Sequence, residues 1–466
     1  MRKKTIFGNI GVAVGAQLIA LIASLFASLI SPKVLSFENF GYWQLFLFYC
    51  SYAGLLHFGL NDGVYLLNGG RIRRTLDSAA IRSQFYIGAV LQVAVLTTIQ
   101  LAAYFFIDDH DRRFVLQAFS VFALLYNLSA FLGYLLQAIN EPRRYSGSVA
   151  LSKLSFLIII AVPLLIGIDS ILWLTAGFIT GQAIALVYCI YECRDILFGQ
   201  ILPIKSGLQE AFASARTGFG LMLANLANLL IIGVARFVID FRWTIEDFGK
   251  LSLMLSVTSF ALLFLSQVSM VLFPALRQLT REKQVDAFVK IRASLSVLGP
   301  LLLLLYLPAH FFIVAWLPEY SDSLIYLTIL FPVVIFNMSM DIGFTTFYKV
   351  FRFERSLLAL NLLSLAISTL LSVVSAFVLD TMYLTVAGIV AVVAARYLLA
   401  DLVLHKQLGL NRDFHPWFSI LSSALFLTVF LTLEVWSAAA IYLSYCVLFA
   451  TINRSSMNAL FKAVFA

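Results

Sequence analysis

Charge is scarce in this sequence. Asp, Glu, Lys and Arg together make 12% of its 466 residues while hydrophobic residues make 61%; an ordinary globular domain has roughly 25% charged residues. A soluble fold of this length would lack the polar groups to cover its surface. Cysteine is nearly absent too: Cys50, Cys189, Cys193 and Cys446 are all there are, which excludes a disulfide scaffold. Cys189 and Cys193 stand one helical turn apart in an apolar run, without further ligands nearby, and read as small packing residues. The five histidines are scattered, and no Gly-x-x-x-x-Gly-Lys-Ser/Thr loop or His-Glu-x-x-His pair occurs. No segment between apolar runs exceeds about 25 residues, too little for a soluble nucleotide-binding domain. With no paired-carboxylate or Ser/His cluster either, neither an enzyme nor a cofactor or metal site is expected.

What is abundant is long apolar sequence. A bilayer core about 30 Å thick needs about 20 apolar residues per helix. Fourteen stretches qualify, near 7–31, 40–67, 81–107, 114–138, 147–167, 171–191, 217–239, 248–276, 293–316, 324–348, 356–378, 382–404, 416–433 and 437–452. The expected fold is therefore an all-α polytopic membrane protein of about fourteen transmembrane helices. The first stretch is too long for the apolar region of a cleaved signal peptide. Of the 32 Lys and Arg, 25 are counted with the segments on the side of the N-terminus, including those at the adjoining ends of the apolar stretches. Five fall on the other side, and Arg236 and Arg396 are assigned to spans. That asymmetry places both termini in the cytoplasm and makes the net charge of +8 an orientation signal, with no nucleic-acid partner needed.

Internal repetition shows at two outer loops. Glu38-Asn39-Phe40-Gly41 opens the second span and Glu246-Asp247-Phe248-Gly249 the eighth. Spans 1–6 and 7–12 then read as two repeats of one topology, giving lobes 1–205 and 206–405 followed by a helix pair and tail, 406–466.

The string Leu35-Ser36-x-Glu38-Asn39-Phe40-Gly41, then Tyr52 and Phe58-Gly59-Leu60, resembles the opening of the polysaccharide transporter family, as does Leu136-Gln137-Ala138-Ile139-Asn140 followed by Tyr145. That family comprises Wzx-type flippases for O-antigen and related repeat units, within the multidrug/oligolipid/polysaccharide exporter superfamily. The resemblance implies two lobes around a central cavity that opens alternately to each side of the bacterial cytoplasmic (inner) membrane. The implied cargo is an oligosaccharide on undecaprenyl pyrophosphate. Implied partners are this substrate, membrane lipids, and the polysaccharide polymerase and chain-length machinery. In that superfamily spans 1, 2, 7 and 8 line the cavity.

The residues supply candidates of their own. Gln17 in span 1, His57 and Asn61 in span 2, and Asn225 and Asn228 in span 7 lie on polar stripes, which lipid cannot satisfy. Arg236 lies near the outer end of span 7, within reach of the interface by snorkelling. Arg396 lies deeper, in span 12. It either pairs with Asp341 or Asp401 or, if it faces the cavity, contacts a pyrophosphate or acidic sugar. Asp62 and Asp341 are candidates for ion coupling, the mark of a rival reading: a cation-coupled exporter of small amphipathic molecules on the same fold. Pro300, Pro308 and Pro332 are expected to kink their helices.

Overall fold

The computed structural model describes residues 19, 22–277, 279–411 and 413–453. Among them every regular element is helical. Ten helices are long and apolar enough to cross a membrane, from Ser78–Phe106 to Val435–Ile452. An eleventh candidate is a pair, Pro318–Leu330 with Val333–Val350, bent by 46°. The bend falls at Pro332, where the missing N–H removes a rung of the ladder. Pro300 and Pro308 behave differently: Arg281–Trp316 runs through both as one 36-residue segment, tightened to a 3₁₀ turn at Leu303–Leu305.

Three of the fourteen expected stretches do not appear among those helices. Most of 7–31 lies outside the described residues, leaving the apolar helix Ile22–Val34. The stretch 248–276 lies in Ile245–Arg277, a helix of 33 residues, some of whose side chains are outside the described set. The stretch 40–67, expected to be continuous, is broken. Phe37–Ser51 is followed by a 3₁₀ turn at Ala53–His57 and then by Leu60–Asn68.

The chain forms two compact units, Met1–Leu226 and Ala227–Ala466. Their division falls inside the helix Ile204–Arg242, whereas the sequence reading drew it at 205/206. Residues up to 226 belong with the first unit because of a backbone-level contact. Gly63 and Gly218 leave no room for a Cβ, which would overlap the Ser214 and Gly59 carbonyls respectively. Two small-residue pairs thus let helices Leu60–Asn68 and Ile204–Arg242 touch.

Within the first unit, loops gather alternately at two ends. At one end, Asp169 accepts from the Ser36 N–H at 2.9 Å and the Asn39 amide at 2.8 Å, and the Tyr42 hydroxyl donates to Asp109 at 2.7 Å. Burial would raise the Asp169 carboxyl, but the donors from Ser36 and Asn39 hold it below its ordinary range. At the other end, Arg73 binds Glu141 and Asp195, and Arg144 binds Glu192. Arg82, nearly buried, donates to the carbonyls of Ile196, Leu197 and Phe198 at 2.9–3.0 Å. Basic residues that signal orientation in the sequence also tie the loops of that end together. Cys189 and Cys193 are wholly buried among Leu60, Val64, Leu135 and Ile196, as packing residues should be.

Candidate functional site

Two polar constellations include most of the sequence-derived candidates. The first surrounds the break in the second span. Phe58 and Gly59 both take positive φ, +50° and +83°, which turns the chain out of one helix and into the next. Gly59 is required twice over, by this φ and by the approach of Ala215 and Phe219 to within 2.8 Å of where its Cβ would stand. The turn frees backbone carbonyls that lipid cannot satisfy. Two amides answer them: Gln92 donates to Leu56 O at 2.7 Å and Asn127 to Ala53 O at 2.9 Å. Asn127 also donates to Gln92 Oε1, and Asn61 donates to Asn127 O, each at 2.9 Å. Asn61 is thereby held in the repair of the break.

His57 and Asp62 face each other across the same turn. The Gly59 N–H donates to His57 Nδ1 at 3.0 Å, which leaves the ring proton on Nε2. That nitrogen lies 3.6 Å from Asp62 Oδ2, with both residues buried. The pair is a carboxylate and an imidazole within ion-pair distance in a buried place.

The second constellation lies in the second unit. Arg396 is 6% exposed and stands twelve residues before the end of its helix at Leu408, about 18 Å at 1.5 Å per residue. Its guanidinium donates to Asn361 Oδ1 at 2.8 and 3.1 Å and to Asn228 Oδ1 at 2.7 Å. Ser368 donates to Ile231 O at 2.6 Å and holds the Asn361 helix against the Asn228 helix. Among the described residues no carboxylate lies within 4.0 Å of Arg396, although Asp341 acts on it through space. The pairing with Asp341 or Asp401 considered from the sequence is absent. Asp401 is engaged by Arg292, which also binds Asp413 through two 2.7 Å hydrogen bonds. Asp341 sits in a π-helical turn, Ser339–Thr345, and is exposed.

Arg236 and Asn225 lie on the same helix as Asn228. Arg236 donates to Ser252 at 2.9 Å and lies over the Phe248 ring at 5.2 Å, and Asn225, three residues before Asn228, is exposed. Gln17 lies outside the described residues. Sequence reasoning missed Asn361, a single amide inside an apolar run. Gln92 and Asn127, amides in the third and fourth spans, were not among its candidates either. It assigned Arg292, one residue before a span, to a loop.

The site and fold together define a class: a multi-pass, all-helical membrane protein with uncommon polar groups at membrane depth. Comparison with solved structures narrows the fold. The chain is similar to lipid II flippase MurJ in an inward closed conformation, with a TM-score of 0.62 at 13% identity over 99% of this chain and 100% of that one. It is also similar to an inward-facing multidrug resistance MATE family transporter of the MOP superfamily (TM-score 0.60, 13% identity, 86% and 99% covered). A MATE structure in complex with MaD5 follows (TM-score 0.53, 12% identity, 85% and 93% covered). The fold is the one shared by these MOP-superfamily transporters. No protein-family model and no curated protein matches the sequence.

Proposed function

We propose that this protein is a flippase that moves undecaprenyl-pyrophosphate-linked oligosaccharide repeat units across the bacterial inner membrane by alternating access, for O-antigen, capsule or exopolysaccharide assembly. The observation that carries this reading is Arg396, an intramembrane guanidinium held in place by two amide oxygens instead of a carboxylate. A charge at the bilayer centre costs at least about 2.5–3.5 kcal/mol on insertion scales, and amides orient it without neutralising it. A planar fork suits a pyrophosphate, which accepts paired donors. Asn228, exposed beside it, adds an amide to the same place. The likeness to a lipid II flippase over nearly the whole chain supports a lipid-linked cargo.

Deleting the gene and weighing the lipid-linked glycans tests the proposal. The undecaprenyl-linked repeat unit should accumulate on the cytoplasmic side while surface glycan falls. Arg396→Ala should behave like the deletion at near-normal abundance, and Arg396→Lys should restore export in part. Unchanged surface glycan in the deletion strain would overturn the proposal.

A second reading, a cation-coupled exporter of small amphipathic molecules, is favoured by the buried His57–Asp62 pair and by the likeness to MATE transporters. On that reading Asp62→Asn abolishes pH-dependent efflux of such molecules, and the deletion strain exports its glycan normally.

A further inference from the structure

A second intramembrane cation lies in the first unit. Lys153, counted from the sequence among the inner-face charges, stands eleven residues into the helix Pro142–Ile166, about 16 Å from its start. Snorkelling along a four-carbon stem does not cover that distance. Its ammonium lies 4.5 Å from the centre of the Phe178 ring. Among the described residues it has no ion pair. Every Asp and Glu of the chain belongs to that described set, so no undescribed side chain supplies a counter-charge.

Lys153 and Phe178 line a cavity of about 240 Å³ whose wall carries hydroxyls and an amide but no carboxylate. The phenols of Tyr126, Tyr134 and Tyr145 border it, and among the described residues none of the three hydroxyls is hydrogen-bonded within the protein. Gln182 is anchored by its nitrogen to Ser129 Oγ, which leaves its amide oxygen available. The stacked rings of Phe122 and Tyr126, 5.6 Å apart, add an apolar wall. A fixed cation, several free hydroxyls and flat aromatic faces in one sugar-sized space form an unusual combination. A simple phosphate would use the cation and leave the rings idle, and a neutral sugar would leave the cation unpaired.

We propose that this cavity binds an acidic sugar: the carboxylate on Lys153, ring hydroxyls on the phenols and Gln182, and the C–H face of the pyranose against the aromatic wall. This deepens the glycan-export reading and rests on it for its biological meaning, but the site is testable without transport. The full chain, purified in detergent, is titrated calorimetrically with glucuronate, glucose and inorganic phosphate. Glucuronate should bind with a Kd of about 1–10 mM, as suits a few polar contacts, and glucose and phosphate at least tenfold more weakly. Lys153→Met should weaken glucuronate at least tenfold and Lys153→Arg less. Should Lys153→Met fail to fold, Gln182→Leu should weaken glucuronate severalfold on a folded chain. The proposal is overturned by glucose or phosphate binding as well as glucuronate, by no glucuronate heat, or by both Lys153→Met and Gln182→Leu binding like the unmodified chain. Normal surface glycan in the deletion strain together with Lys153-dependent glucuronate binding would remove the export reading and leave the site standing.

Discussion

The spans that open with the repeated Glu-x-Phe-Gly motif begin alike and continue differently. In the first unit Ser36 caps Phe37–Ser51 by accepting from the Asn39 N–H. In the second, Thr244 and Asp247 cap Ile245–Arg277 reciprocally, through bonds of 3.2 and 3.3 Å, a capping box. In both, the Glu is exposed and the Phe-Gly is buried. Beyond the first turns the likeness ends. The first-unit helix breaks at residues 52–59 and is repaired by Gln92 and Asn127, whereas its counterpart is helical for 33 residues. A cap is a local device and survives repetition; the body of a span follows its neighbours. A break is tolerable where amides from other helices stand ready, as Gln92 and Asn127 do in the first unit.

The largest expected effect falls in the second unit, at Arg292. It is buried between Asp401 and Asp413, and Arg292→Met should cost about 3–5 kcal/mol by leaving the buried Asp401 with only His405 nearby in place of its guanidinium. Thermal unfolding in detergent checks this, and a midpoint within a degree of the unmodified chain would show the cluster to be dispensable. Next comes the break itself. Asn127→Ala removes the donor to Ala53 O and should cost about 1–3 kcal/mol. Ser256→Ala, in the unbroken counterpart, loses only a bond to the Ser252 carbonyl and should stay within about 0.5 kcal/mol. Equal losses measured for the two would erase the contrast between the spans.

A smaller effect depends on pH. Burial would raise the Asp413 carboxyl, but the Arg292 guanidinium holds it well below the ordinary carboxylate range. A carboxyl lowered in the folded state lends stability that is fully present above its unfolded value of about 3.9 and is lost as pH falls through the folded value. Attachment of the His415–Thr432 helix should therefore hold from pH 7 to about 4 and loosen below. Being partly exposed, Asp413 contributes about 1 kcal/mol, and Asp413→Asn should lower the midpoint at pH 7 and flatten its fall in acid. Of similar size are the caps: Ser36→Ala and Thr244→Ala should each cost about 1 kcal/mol. Closely matched values would support the equivalence of the two starts, and a clear inequality would weaken it.

Sequence by itself determined the all-helical membrane fold, because twenty apolar residues in a row have no other stable place and backbone groups in lipid must bond within a helix. It also located the repeated span starts, since caps are read from a few adjacent residues. Individual charges at depth were visible in part: Arg396 stood out, while Lys153, inside the stretch 147–167, was counted with the inner-face charges, and Arg292, one residue before a stretch, passed for a loop residue. Partners were not legible. That Arg396 meets Asn228 and Asn361, that Asp401 belongs to Arg292, and that Gln92 and Asn127 mend a break in another helix depend on contacts between residues 35 to 168 positions apart. Helical periodicity gives the face on which a polar group lies; which neighbour meets that face is decided only when the helices pack.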